Sequence, residues 1–304
     1  MPLNRRQLIG SLAVASLNAL APQFARAQDA TLAKKIPSSG EALSIVGLGS
    51  WITFNVGDDP VARDSSTEVM RAFFNAGGRM IDSSPMYGSA QEVIGYCLRK
   101  TGKAGNVFAT DKVWIAKGDE GPEQIERSRV LWGVDRFDLL QVHNLVAWEA
   151  HLDTLNAMKD DGKLRYVGIT TSHGRRHDEL ERIIRKHDLD FIQLTYNIAD
   201  REVEERLLPL AQEKGIAVIA NRPFRRKELI YRFEEEKLPD WADEIGAASW
   251  AQFLLKFVIS HPAITCAIPA TTRVDHVREN LASARAPLAN EEMRRRMIAY
   301  ISEL

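Results

Sequence analysis

The sequence predicts an α/β protein built as a single (β/α)8 TIM barrel, with eight parallel strands and a C-terminal helix. Three observations support this prediction. Eight short runs rich in apolar and β-branched residues recur at even intervals along the chain. Amphipathic segments, with apolar residues at three- and four-residue spacing, separate these runs, and several of the segments end in glycine. Alternating strands and helices favour parallel pairing through helical crossovers, and eight such units close into a barrel.

Each predicted strand is bounded by turn-forming or charged residues and is too short to be a helix. Their near-continuous apolar character agrees with burial on both faces of a parallel sheet. In chain order the strands begin at Leu43, Arg79, Val107, Phe137, Leu164, Phe191, Ile216 and Ile264, after a polar lead-in, KKIPSSGE.

The longest predicted connection and the end of the chain contain further helices. The connection from Arg225 to Pro262 carries enough apolar pattern for two helices, and residues 290–304 form the C-terminal one. A doubly wound open sheet is the alternative architecture. It would need a glycine-rich G-x-G-x-x-G turn after the first strand, where the sequence reads GLGSW (47–51).

Composition indicates a folded soluble protein that has no reason to bind nucleic acid. The 304 residues include 40 Lys and Arg against 41 Asp and Glu, a formal net charge of −1, and 45% hydrophobic residues. The charged run RRKELIYRFEEEK (225–237) is typical of a solvated amphipathic helix. The histidines and the two cysteines lack the spacing of metal ligands, so no metal site is predicted.

The first 27 residues have the order of an export signal. Arg5 and Arg6 precede an apolar stretch, residues 8–21, and a small-residue A-x-A site ends at Ala27. We predict a twin-arginine signal peptide cleaved after Ala27, the twin-arginine export machinery as the precursor's partner, and a periplasmic barrel of residues 28–304. The apolar stretch is too short to span a bilayer, so no stable membrane insertion is expected after cleavage. An ordinary secretory leader is the alternative.

Polar residues end three consecutive predicted strands, at the barrel face where active sites lie. Asp82 ends the second strand, Lys112 the third and His143 the fourth, and Tyr87 follows in the loop after Asp82. A lysine ammonium beside a phenol would lower the pKa of Tyr87, while the carboxylate holds the lysine. The four are candidate catalytic residues, with Tyr87 as general acid. Singly, each has a structural alternative as a cap, a rim charge or a core histidine.

The segments that contain these residues resemble the aldo-keto reductase family. The matching segments cover essentially the whole predicted mature chain in the right order. They are GLGSW (47–51), IDSSPMYGSAQEVIG (81–95), DKV (111–113), LLQVHN (139–144), VGITTSHG (167–174), FIQLTYN (191–197) and IPATTRVDHVREN (268–280). The resemblance implies reduction of an aldehyde or ketone to the alcohol with NADPH as cofactor, and NADH as the alternative.

The resemblance also implies a role for each matching residue. Tyr87 would be the proton donor, Lys112 and Asp82 its tuning pair, and His143 the group that orients the small carbonyl substrate. Trp51 falls where the family lines its substrate pocket. The residues at the family's dinucleotide-binding positions are Ser172, His173, Gln193, Asn221 and Arg222 at the nicotinamide end, and Thr271, Arg273, Glu279 and Asn280 near the adenosine 2′-phosphate.

Departures from the family pattern keep other functions open. His173 stands where the family usually has Asn, and Asn221 stands where many members have a ring-stacking Tyr. Ala270 and His276 replace a Lys and an Arg of NADPH-selective members. A nicotinamide-dinucleotide-binding regulatory or sensing barrel with little turnover is therefore the alternative function. A third possible function is that of a cofactor-free lyase or isomerase that uses Tyr87 and His143 as acid and base.

Overall fold

The computed structural model describes residues 31–304 and contains the predicted parallel barrel. Eight strands follow one another in chain order around a single sheet, and all neighbouring pairs are parallel. The last strand returns to the first through single bridges between Val46 and Ala267 and between Gly49 and Ala270, which close the sheet. The (β/α)8 TIM barrel is thereby confirmed. The predicted signal peptide lies outside the described residues.

The described strands are a short amino-terminal pair and the eight of the barrel. They are β1 (Ala33–Lys35), β2 (Ala42–Ser44), β3 (Leu48–Gly49), β4 (Met80–Asp82), β5 (Phe108–Val113), β6 (Leu139–Val142), β7 (Tyr166–Thr170), β8 (Phe191–Thr195), β9 (Ala217–Asn221) and β10 (Ile264–Ala267).

The described helices include both of those predicted in the longest connection and the C-terminal one. They are α1 (Pro60–Asn75), α2 (Ala90–Thr101), α3 (Gly121–Trp132), α4 (Trp148–Asp160), α5 (His177–Lys186), α6 (Leu207–Glu213), α7 (Glu228–Phe233), α8 (Trp250–Ile259), α9 (Val274–Ser283) and α10 (Glu291–Ser302).

An antiparallel hairpin replaces the predicted polar lead-in. Strand β1 pairs with β2, so the predicted first strand from Leu43 divides between the hairpin and barrel strand β3. The physical reason is burial. Ile36 and Leu43 are almost completely buried. They pack against Met80 and Phe108, the first residues of barrel strands β4 and β5. The hairpin therefore closes the amino end of the barrel, opposite the predicted active site.

Local sequence accounts for the way the helices begin and pack. Asp59 caps α1, since its carboxylate accepts hydrogen bonds from the backbone N–H groups of Val61 and Ala62 at 2.8 and 3.1 Å. Helix α2 approaches α3 closely at Gly95, where a Cβ atom would lie 2.0 Å from the carbonyl oxygen of Leu131. Helix α3 in turn packs on β5, the strand that carries Lys112.

The two cysteines, Cys97 and Cys266, are buried free thiols. Between residues 31 and 304, no helix combines the length and apolar character needed to cross a membrane. In the same part of the chain, no cluster of three His, Cys, Asp or Glu side chains could hold a metal ion.

Candidate active site

The four candidate catalytic residues converge at the carboxyl end of the barrel. Lys112 Nζ donates hydrogen bonds to Asp82 Oδ2 and to the backbone carbonyl of Ser83, both at 2.7 Å. The same nitrogen lies 5.4 Å from the centroid of the Tyr87 ring. The rings of Tyr87 and His143 meet edge to face with their centroids 5.8 Å apart. Strands β4, β5 and β6 are neighbours in the sheet, which is why their ends bring these side chains together.

Burial governs the ionisation of this cluster. Desolvation raises the pKa of Asp82, while the Lys112 ammonium opposes that rise. Burial alone would lower the pKa of Lys112. The neighbouring Asp82, Tyr87 and Asp111 raise the pKa by more than this, so Lys112 remains an ammonium. Desolvation also raises the pKa of Tyr87, and Lys112 offsets only part of the rise. The expected net lowering of the Tyr87 pKa is therefore wrong, and the phenol keeps its proton at neutral pH.

His143 is a neutral imidazole at this site. Burial, and secondly the Lys112 ammonium, lower the pKa of His143 to about 3. Its Nδ1 lies 2.7 Å from Oγ of Ser84, a residue that the sequence analysis did not single out. His143 can thus offer a hydrogen bond without carrying charge.

A cleft of ≈ 390 Å³ opens above the four residues. It brings together most of the predicted site. The predicted residues that line it are Trp51, Asp82, Tyr87, Lys112, His143, Ser172, His173, Gln193, Asn221 and Arg222.

Hydrogen bonds connect three of the residues predicted to meet the nicotinamide. Asn221 Nδ2 donates to the carbonyl of Thr171 at 3.0 Å, and its Oδ1 accepts from Thr195 Oγ1 at 2.7 Å. The same Thr195 oxygen accepts from the backbone N–H of His173 at 3.0 Å. Ser172 Oγ lies 2.9 Å from Nδ1 of His173. The Asn221 amide is therefore held in one orientation at the cleft wall.

The closing segment borders the cleft only at its start. Its lining ends at Ala270, and the four residues predicted near the adenosine 2′-phosphate do not line the cleft. Their side chains have other neighbours: Arg273 pairs with Asp275, Thr271 Oγ1 accepts from the Arg273 N–H, Glu279 accepts from Ser249, and Asn280 is buried. Their role in binding the dinucleotide remains a prediction.

The loop after β9 supplies two cations that the sequence analysis missed. Residues 225–227 were expected in a solvated helix, but they form a turn with φ of 45°, 58° and 75°, and α7 begins only at Glu228. Arg226 and Lys227 line the cleft, and the Arg226 guanidinium stacks 4.1 Å from the centroid of the Trp51 ring. No local sequence signal places these residues at the cleft, because a proline at position 223 is also compatible with the first turn of a helix.

A barrel mouth that joins a buried lysine–carboxylate pair to a protonated tyrosine and a neutral histidine is chemically suited to proton transfer. Comparison with known proteins agrees. A model of the aldo/keto reductase family matches residues 45–300, and the chain belongs to that family. The predicted family is confirmed, and with it the enzyme class, an NAD(P)H-dependent oxidoreductase.

Two relatives and one solved structure cover between 69% and 86% of the chain. The chain is 30% identical over 271 residues to methylglyoxal reductase YeaE of Escherichia coli strain K12, covering 86% of this chain and 92% of that protein. It is 26% identical to the NADH-specific methylglyoxal reductase of the same strain, over 69% of this chain and 73% of that one. An aldo/keto reductase from Klebsiella pneumoniae, solved in complex with NADP and acetate, superposes with a TM-score of 0.73 at 25% identity, covering 86% and 92% of the two chains.

Proposed function

We propose that the protein reduces an aldehyde or ketone to the alcohol with a reduced nicotinamide dinucleotide, and that Tyr87 donates the proton. The observation that carries the proposal is the contact of Lys112 with Asp82 beneath the Tyr87 ring. A buried ammonium at this position favours the phenolate that proton donation leaves behind. The K. pneumoniae neighbour, a complex with NADP, supports NADPH as cofactor, and the E. coli relative specific for NADH keeps NADH as the alternative.

Each residue of the cluster then has a part in the reaction. When bound, the reduced nicotinamide supplies the hydride for the carbonyl carbon. Tyr87 gives its proton to the carbonyl oxygen as negative charge develops there. Asp82 holds Lys112 Nζ in place, and the ammonium stabilises the phenolate. His143, which is neutral, donates a hydrogen bond to the same oxygen and orients it.

The cleft wall fits a dinucleotide in its donors and its charge. Ser172 and Gln193 offer groups to the nicotinamide carboxamide. Arg222, Arg226 and Lys227 line the cleft, and within residues 31–304 none of the three has an ion-paired or hydrogen-bonded acid. Arg222 Nη1 is buried without any partner there. Unpaired cations at a cleft are suited to the phosphates of a dinucleotide.

The direct test follows oxidation of NADPH, and separately of NADH, by absorbance in the presence of methylglyoxal or an aromatic aldehyde. Tyr87→Phe keeps the ring and removes the proton donor, so kcat should fall by roughly a hundredfold or more. Tyr231→Phe, at an exposed tyrosine on α7, is the matched control and should retain the parent rate. Equal rates for the two variants would contradict the role of Tyr87. Dinucleotide binding without turnover of any carbonyl would favour the regulatory barrel instead.

We also propose that the protein works in the periplasm after twin-arginine export. Support comes from the succession of two arginines, an apolar stretch and a small-residue cleavage site in residues 1–27. Export of the folded protein also provides a way for the dinucleotide to leave the cytoplasm bound to the barrel. Replacing Arg5 and Arg6 by lysine should retain the protein in the cytoplasm, as measured by cell fractionation. Unchanged export of that variant would favour an ordinary secretory leader.

A further inference from the structure

Ser84 is a buried serine in contact with the imidazole of His143. It follows β4, is completely buried, and is not among the residues that line the cleft. Its Oγ lies 2.7 Å from Nδ1 of His143, which follows β6, so the contact links the ends of two strands that β5 separates. A side chain in this place can affect the reaction only through its neighbours.

Ser84 is also bonded to the turn that carries the proposed proton donor. That turn is Pro85–Tyr87, and Ser84 is the residue that caps its start. The backbone N–H of Met86 donates to Ser84 Oγ at 3.2 Å, and the backbone N–H of Tyr87 donates to the Ser84 carbonyl at 3.0 Å. One residue thus connects the two side chains that would meet the carbonyl oxygen, Tyr87 and His143.

The protons at Ser84 Oγ can be arranged in two ways. The His143 ring is neutral, because burial and Lys112 lower its pKa to about 3, so one ring nitrogen carries a proton and the other is bare. If Nδ1 carried the proton, Ser84 Oγ would accept from both Nδ1 and Met86. Its own buried hydroxyl proton would then have no hydrogen-bond acceptor among residues 31–304, which is costly. If Ser84 donates to Nδ1 instead, the hydroxyl, Nδ1 and the Met86 N–H are all satisfied.

We propose that Ser84 is a positioning residue, which donates its hydroxyl proton to His143 Nδ1 and so keeps the imidazole in the Nε2–H tautomer. This inference rests on the proposed carbonyl reduction. With the proton on Nε2, the ring presents an N–H to the cleft that it lines, and a carbonyl oxygen there can accept it. With the proton on Nδ1, the ring would present a lone pair, which repels the same oxygen.

The hydrogen bond from Nε2 should matter most in the transition state. Negative charge develops on the carbonyl oxygen as hydride arrives, so a donor at this place binds the transition state more strongly than the substrate. Loss of the Nε2–H tautomer should therefore lower kcat, with little change in KM or in the Kd of the dinucleotide. A general loosening of the site would change all three.

NMR of the imidazole nitrogens in the unliganded protein tests the tautomer directly, with His143→Gln used to assign the signals. We expect Nε2 to be protonated and Nδ1 to be bare. The measurement depends neither on turnover nor on the folding of a Ser84 variant. A protonated Nδ1 in the parent would overturn the inference, whichever carbonyl compounds the protein reduces.

Variants of Ser84 test its effect on catalysis. Ser84→Ala removes the donor to Nδ1, so both tautomers should be populated, and kcat should fall by roughly tenfold, the upper range for one lost hydrogen bond. Ser84→Thr keeps the hydroxyl and should retain the parent tautomer and most of kcat. Ser44→Ala is the matched control, because Ser44 is a buried serine of the amino-terminal hairpin whose Oγ donates to the Val46 carbonyl at 2.7 Å. It should keep the parent tautomer and kcat.

Two results with these variants would refute the inference. One is a parent-like tautomer and kcat in Ser84→Ala. The other is a fall in kcat with an unchanged tautomer, or an equal fall in Ser44→Ala, since the serine would then act through packing alone. Failure to reduce any carbonyl compound while the dinucleotide still binds would contradict the proposed function, and the NMR spectrum of the parent would still decide the tautomer.

Discussion

Arg294 Nη2 of α10 lies 2.7 Å from Glu204 Oε1, in the loop that follows β8. The hydroxyl of Tyr196 bonds to both side chains, and Arg294 is nearly buried. The three-residue cluster joins the C-terminal helix to the barrel. Removing one charge of such a pair leaves the other poorly solvated, and this cost exceeds the value of an ordinary surface ion pair.

Arg294→Met should therefore lower the free energy of unfolding by about 2 kcal/mol, less than for a fully buried pair because Glu204 keeps some contact with water. Urea titration followed by fluorescence measures the change. Arg295→Met breaks the exposed pair with Glu291 on the same helix and should cost less than about 0.5 kcal/mol. Equal losses for the two variants would show that the buried cluster does not anchor α10.

Removing the lysine of the active-site pair should separate stability from catalysis. Lys112→Met leaves Asp82 as a buried carboxylate without its cation, and we expect a loss of about 3 kcal/mol in stability together with most of the activity. The double variant Asp82→Asn, Lys112→Met should regain much of the stability and none of the activity. Recovery of kcat in the double variant would mean that the ammonium has no role in proton donation.

Two buried histidines should each favour unfolding in acid. Folding lowers the pKa of His143 to about 3 and that of His261 to about 4, in both cases mainly by burial, from an ordinary value of 6.5. As pH falls from about 6.5 towards 4, the unfolded chain binds protons at these two sites that the folded chain refuses, so their contribution to the free energy of unfolding decreases. Asp111, whose pKa is raised by burial to about 7, contributes in the opposite direction over the same range. Urea midpoints across this range measure the slope. His261→Gln should remove the His261 contribution to the dependence of stability on pH. A dependence equal to the parent's would show that His261 does not contribute to it.

The close contact of α2 with α3 makes Gly95 sensitive to the smallest substitution. Gly95→Ala places a Cβ atom 2.0 Å from the carbonyl oxygen of Leu131, and the helices must separate to admit it. We expect a loss of about 1 to 3 kcal/mol in a urea titration. Gly105→Ala, where nothing lies within 4 Å, is the control and should be neutral or slightly stabilising. A neutral Gly95→Ala would imply a looser helix contact.

The cations of the β9 loop should contribute to dinucleotide affinity. Arg226→Ala should raise the Kd of NADPH and of NADH by similar factors of roughly tenfold, because the diphosphate is common to both. Calorimetric titration measures both constants. Arg232→Ala is closely matched, since this arginine also stacks on an aromatic ring, that of Phe233, but lies outside the cleft. A change confined to NADPH would assign Arg226 to the 2′-phosphate, and no change would contradict a role for Arg226 in dinucleotide binding.

The convergence of the candidate catalytic residues was predictable, because the order of strands in a parallel barrel places successive strand ends side by side. Asp82, Lys112 and His143 close three neighbouring strands, and the carboxyl ends of such strands share one face. Strand type and order followed from apolar runs that need only local sequence to be recognised.

Other features depended on contacts that no local pattern contains. The hairpin at Ile36 exists because the floor of the barrel offers an apolar surface to cover. Arg226 reaches the cleft because the turn after β9 takes left-handed backbone angles that arginine seldom adopts. The sequence likewise could not show whether Arg273 is an unpaired cation, whereas in the structure it pairs with Asp275.

The linear sequence was sufficient to predict the barrel, the order of its strands, the family, and the convergence of Asp82, Tyr87, Lys112 and His143 at one end of the barrel. The tertiary structure decided which loop cations and apolar side chains reach the cleft, and in which charge state its groups stand. The physical reason is that desolvation sets ionisation. Burial outweighs the lysine in the pKa of Tyr87 and keeps His143 neutral, and burial is a property of the packed chain rather than of any one segment.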